Sequence, residues 1–243
     1  MVRVDGGLFL MGSDHDGPDE APAHRVSLPP FWIDRHKVTN REFAAFLNAR
    51  GLKSPEGEDH FDWDDADARI HRVQGQFVTD PGFEQHPAVE VSWFGARNYC
   101  AWRGKRLPTE AEWEKAARGT DERRYPWGNA PPTRDHAVYG RAYNMTEPIG
   151  TRPSGASPYG VYDMAGHLRE WTATQFRPYP YRGDDGREEA ERRATRVVRG
   201  ASHDDGADSL RITIRRYYGH SGTARGRHHV GFRCAKAQDG RGG

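Results

Sequence analysis

Cysteine is almost missing from this chain, with only Cys100 and Cys234 in 243 residues. Two thiols far apart exclude a multi-bridge disulfide framework, and neither lies in a Cys-x-x-Cys metal or redox motif, which leaves one structural pair or two buried thiols. Long apolar runs are also missing. Nothing approaches membrane-spanning length, and the start, Met1 to Gly7, lacks the apolar run of a signal peptide, so the expected setting is the cytoplasm with no membrane partner. Charge of one sign is not in excess: 36 Lys and Arg face 35 Asp and Glu. That balance gives no global field for a nucleic acid, which is disfavoured as a partner. No simple, polar linker divides the chain, so a single domain over residues 1–236 is expected, followed by a flexible tail over 237–243.

Aromatic residues are plentiful. With 35% apolar and 29% charged residues, the 7 Trp, 10 Tyr and 10 Phe must supply much of the buried area, and Trp113 and Trp171 are expected in the core. Three short helices are marked by their ends. Thr39 with Glu42 forms a capping box, Phe43, Phe46 and Leu47 share a face, and Gly51 closes the turn. Ser92 caps a second helix that turns Ala96, Tyr99 and Cys100 inward and ends at Gly104. Thr109 with Glu112 opens a third, closed by Gly119. Short, antiparallel strands are expected at Leu8 to Met11, Arg25 to Leu28, Phe31 to Ile33, Arg196 to Arg199 and Val230 to Cys234. The stretches Glu56 to Asp67 and Arg182 to Arg193 are poor in apolar residues and read as solvated loops.

Several strings resemble the formylglycine-generating enzyme family, also called sulfatase-modifying factor. They are Gly6 to Ser13, Val38 to Phe43, His86 to Trp93, Gly104 to Glu114, Tyr125 to Asn129, Ser157 to Gly160, Asp163 to Gly166 with Glu170-Trp171, and Arg199 to Ser202, in the family's order. The resemblance implies a C-type-lectin-like α+β fold with few short helices, short strands and much irregular structure. It also implies that Cys100 and Cys234 face each other as a structural pair. Fold alone does not give function. Relatives include copper oxidases that make formylglycine, iron-dependent sulfoxide synthases, and binding proteins such as variable receptors of diversity-generating retroelements.

In the oxidases a cysteine pair after Arg-Gly-Gly-Ser binds copper, because a soft thiolate suits monovalent copper. Here that segment reads His203 to Leu210 without a thiol. Formylglycine synthesis is therefore not expected, and neither iron nor copper is expected as a cofactor. The resemblance further implies a calcium site at Asp163, Gly166, Leu168 and Glu170, where carboxylates and backbone carbonyls converge on a hard cation.

In the resembling folds the stretch 203–229 forms the ligand-facing surface. Its candidates are His203, Asp204, Asp205, Asp208, Arg211, Arg215, Tyr217, Tyr218, His220, Arg227, His228 and His229. The tyrosines offer rigid contact area and the arginines bidentate donors, so a protein or small-molecule ligand with carboxylates is expected. The expected function is a ligand- or partner-binding module, with a retroelement receptor as one form of it. The alternative is a non-haem iron oxidoreductase using His203, Asp204 or Asp205, and His228 or His229 as ligands.

Overall fold

The helix ends act as the sequence indicates. In the computed structural model, which describes residues 1–190 and 194–238, helix α1 (Asn40–Arg50) starts where the Thr39 hydroxyl accepts from Glu42 N and Glu42 reaches back to Thr39 N. Helix α3 (Glu110–Arg118) repeats this box with Thr109 and Glu112, and Ser92 accepts from Gly95 N at 2.9 Å to open α2 (Trp93–Trp102). Arg103 caps α2, and Gly104 follows at φ 68°.

Strands β1 (Val2–Val4), β4 (Phe31–Ile33) and β11 (Ala235–Ala237) form one sheet with β4 central. Strands β2 (Gly7–Met11) and β3 (His24–Leu28) pair as a ribbon, as do β5 (Ile70–Val73) and β6 (Gln76–Thr79). The fourth sheet runs β10 (Val230–Gly231), β7 (Arg169–Gln175), β8 (Arg196–Arg199) and β9 (Arg215–Tyr218), and a single turn, α4 (His220–Thr223), follows β9.

The strand expected over Val230 to Cys234 ends after Gly231, and the next strand begins beyond it at Ala235. β10 pairs with β7 in parallel, not antiparallel, and β11 joins β4 in the other sheet. Between them Arg233 is fully buried, forking onto Glu170 at 2.6 and 2.8 Å and donating to the carbonyls of Asp34, Arg35 and Tyr162. That one side chain pins the crossover between sheets. The Cys100–Cys234 disulfide, with Cα atoms 5.6 Å apart, ties α2 to the same crossover.

Around the disulfide the core is aromatic. Phe43, Phe46, Tyr99, Trp171 and Phe232 are all buried, and the Phe232 ring meets Tyr99 edge-on at 5.4 Å, a favoured geometry for ring quadrupoles. A second cluster holds Trp113 against Phe31, Ile33, Val161 and Met164.

Three expectations are corrected here. The stretch Glu56 to Asp67 is not wholly solvated, because Phe61 and His60 are each only 2% exposed and pack beneath the loop. Within Arg182 to Arg193, Arg187 is buried, its guanidinium on Asp185 at 2.8 Å and over the Tyr181 ring; residues 191–193 lie outside the described residues. The tail does not begin at 237, since Ala237 pairs with Phe31 in β11; residues 239–243 lie outside the described residues. Among the described residues no helix is long and apolar enough to cross a membrane.

Candidate metal- and ligand-binding face

Parallel pairing of β10 with β7 carries His228 and His229 to the end of the four-stranded sheet, where Arg169 N donates to His229 O at 3.1 Å. Gly226 makes the approach possible. A Cβ there would stand 2.0 Å from Glu90 O, so only glycine lets residues 226–229 run beside the segment that enters α2. The turn after β8 brings Asp204 alongside, and Gly140 N and Arg141 N hold it by donating to Asp205 O and His203 O, each at 2.7 Å.

His228 is the centre of the resulting cluster. Its Nε2 is 3.5 Å from Asp204 Oδ2 and 3.3 Å from His229 Nδ1, and its Nδ1 is 3.8 Å from Asp67 Oδ2. The far nitrogen of His229, Nε2, is 2.7 Å from the Tyr218 hydroxyl. Tyr143 lays its ring 4.1 Å from His228 and donates its hydroxyl to Asp67, which also accepts from Asn144 Nδ2 at 3.0 Å. Two sets of potential ligand atoms each fall within 4.8 Å of one another: Asp204, His228 and His229, and Asp67, Glu90 and His228.

The electrostatics of the cluster combine both signs of charge. Burial, then the charges of Asp65, Asp62 and Asp67, push the Glu90 carboxyl up to about 8 against the pull of Arg227. Burial, then Arg169 and His228, hold His229 down at about 4, so its imidazole is neutral with a free lone pair.

The structure gathers some of the sequence-derived candidates and scatters others. Asp204, Tyr218, His228 and His229 meet in the cluster, and His203 packs its buried ring 6.1 Å from His228 with Nε2 unpartnered among the described residues. Asp205 instead takes the fork of Arg169 at 2.7 and 3.1 Å. Arg211 turns away to Asp16 and Glu20, and Arg215 is buried on Glu110 at 2.7 Å. Arg227 lies over the Tyr218 ring. Tyr217, one residue from Tyr218 on β9, packs on Phe176 with centroids 4.0 Å apart. Asp208 sits on an exposed turn and His220 begins α4; neither belongs to the two ligand-atom sets.

Two of the three arginines expected to receive a carboxylate-bearing ligand are paired inside the protein. Arg211 and Arg215 are spent on internal carboxylates, as is Arg169, whereas Arg227 stays at the cluster with Asp67, Glu90 and Asp204. Asp67, Glu90, Tyr143 and Asn144 were not legible as site residues. Glu90, a lone carboxylate within the apolar run Ala88 to Val91, was the one available signal.

Calcium does not fit the residues at Asp163, Gly166, Leu168 and Glu170. The Glu170 carboxylate already carries the Arg233 fork and, at 3.1 Å, the ammonium of fully buried Lys37, which also donates to the Asp163 carbonyl. A dication would be the third positive group on one carboxylate. Asp163 Oδ2 is occupied by Gly150 N at 2.9 Å.

The chain matches the profile of the sulfatase-modifying factor enzyme 1-like domain over residues 1–238. It is 36% identical to the serine/threonine-protein kinase pkn1 of Chlamydia caviae, covering 97% of this chain but 38% of that protein's length. It is 34% identical to the inactive C-alpha-formylglycine-generating enzyme 2 of Bos taurus, over 97% of this chain and 87% of that one. With the hercynine oxygenase of Mycolicibacterium smegmatis it shares 38% identity over 74% of this chain and 46% of the relative. Among solved structures, PvdO from Pseudomonas aeruginosa superposes with a TM-score of 0.74 at 29% identity, covering 97% of this chain and 93% of PvdO. The chain therefore belongs to the sulfatase-modifying factor enzyme 1-like family, that of the formylglycine-generating enzymes, and has its C-type-lectin-like α+β fold.

Proposed function

We propose that this chain is a ligand-binding module of its family and does not make formylglycine. One observation carries the reading: both cysteines are closed in a single buried disulfide, so no thiolate is left to hold copper or engage a substrate thiol. The similarity to a bovine protein described as inactive supports the same view.

The binding surface in this reading is the His228 face. Tyr143 and Tyr218 give it rigid contact area, and Asp67 and Asp204 give it the charge to select a cationic group. The similarity to a hercynine oxygenase supports the rival reading, an oxidoreductase on the same face, and the two part on turnover.

Incubating the protein with copper, dioxygen and a Cys-x-Pro-x-Arg peptide is expected to leave the peptide cysteine unchanged by mass spectrometry; a formylglycine product overturns the proposal. In fluorescence anisotropy a labelled oligolysine should bind at low salt and an oligoglutamate should not. Asp67→Asn should weaken that binding, and equal affinity for the two peptides would count against the cation-seeking face.

A further inference from the structure

Two distances in the His228 cluster are too long for good hydrogen bonds and well suited to something else. His228 Nε2 stands 3.3 Å from His229 Nδ1 and 3.5 Å from Asp204 Oδ2. Hydrogen bonds between such atoms centre near about 2.9 Å. Ligands held at about 2.0 to 2.2 Å around a tetrahedral ion are separated by roughly 3.3 to 3.5 Å, the edge of the tetrahedron. Resting on the reading of this face as cation-seeking, we propose that Asp204 Oδ2, His228 Nε2 and His229 Nδ1 bind a divalent transition-metal ion of the zinc or iron(II) class, with a fourth position open to the ligand.

The non-ligating nitrogen of His229 supports this. A metal-bound imidazole usually directs its other nitrogen to a fixed partner that sets the tautomer. His229 Nε2 has the Tyr218 hydroxyl at 2.7 Å, whereas His228 Nδ1 is 3.8 Å from Asp67, beyond hydrogen-bonding distance. His229 thus has one nitrogen fixed by an orienting group, and His228 Nε2 lies within 3.5 Å of both other ligand atoms. A third imidazole nitrogen, His203 Nε2, is buried beside them without a partner among the described residues. Two imidazoles with one carboxylate suit zinc or iron(II) better than calcium or magnesium, which prefer all-oxygen sets.

The test is isothermal titration of the metal-stripped protein with zinc chloride, alongside cobalt(II) as a spectroscopic stand-in. One ion per chain is expected, with tetrahedral cobalt bands and no competition from calcium or magnesium. Tyr218→Phe, which leaves all three ligands in place, should weaken binding about tenfold or more without changing the thermal midpoint of the metal-free protein. The double variant H228A/H229A should abolish binding. Absence of uptake by the wild-type protein, or undiminished uptake by the double variant, overturns the inference. Oligolysine binding without metal uptake would sink the metal site and leave the ligand-binding reading standing; metal uptake without oligolysine binding would do the reverse.

Discussion

Lys37 places its ammonium 3.1 Å from the Glu170 carboxylate in a site where neither side chain touches solvent. Arg233 holds the same carboxylate from another side, and together the two cations keep Glu170 ionised below its ordinary range despite the burial that opposes it. A buried carboxylate of this kind needs a positive partner, and here the chain supplies it from its own residues.

Calcium is accordingly expected to leave the thermal midpoint of the metal-free protein unchanged; a clear rise on adding calcium would restore the site at Asp163 and Glu170. Lys37→Met should cost about 3 kcal/mol or more in denaturant unfolding, because removing one member of a buried ionic cluster strands the others.

The disulfide predicts a second effect. It closes a loop of 134 residues. Loop-closure entropy for that length is about 5 kcal/mol. Unfolding with and without reductant should differ by an amount approaching that value. Equal midpoints would mean that the aromatic packing around Cys100 and Cys234 already holds α2 to the crossover.

Much of this fold is local chemistry and could be read as such. The capping boxes at Thr39 and Thr109 and the Ser92 cap each need only three or four consecutive residues, and all three helices start where those side chains place them. Strand β7 was missed for a physical reason. Its sequence, Arg-Glu-Trp-Thr-Ala-Thr-Gln, reads as polar, yet it is largely buried because Glu170 pairs with Arg233 and Lys37, and Thr172 donates to Val197 O. The site shows the same limit. His228 and His229 are adjacent and visible, but Asp67, Glu90 and Tyr143 reach them only through tertiary contacts that no spacing encodes. Arg211 and Arg215 looked like ligand donors until the structure paired them inward.

Aromatic packing gives a third prediction. Trp113 and Trp171 are wholly buried, and Trp171 Nε1 donates to Val91 O at 3.0 Å. Truncation of either to Ala should cost about 3 to 5 kcal/mol through lost burial and the cavity left behind. Trp171→Ala also strands the Val91 carbonyl, so it is expected to be the more damaging of the two. Unchanged melting of both variants would contradict this account of the core.

The last prediction concerns acid. His167 is buried at φ 70°, accepts from Glu147 N at 3.2 Å through Nε2, and has its Nδ1 unpartnered among the described residues. Burial foremost, with Lys37 and His203 adding to it against Asp163, depresses it from 6.5 to about 3. The unfolded chain therefore takes up a proton near pH 6.5 that the folded chain refuses until about pH 3. Stability conferred by the neutral imidazole is full above pH 6.5 and drains away as pH falls, by at most about 1.4 kcal/mol per pH unit. His203 and His229 are depressed in the same direction, while the raised Glu90 carboxyl acts with the opposite sign over the same range, so a difference measurement is needed. His167→Asn removes one titrating group and puts at φ 70° a residue that tolerates the left-handed region. Chemical denaturation from pH 7 down to about 4.5, above the range where Glu170 and Asp163 begin to protonate, should show the variant losing less stability than wild type by close to one proton's worth of slope. Parallel curves for the two proteins would place the acid sensitivity elsewhere.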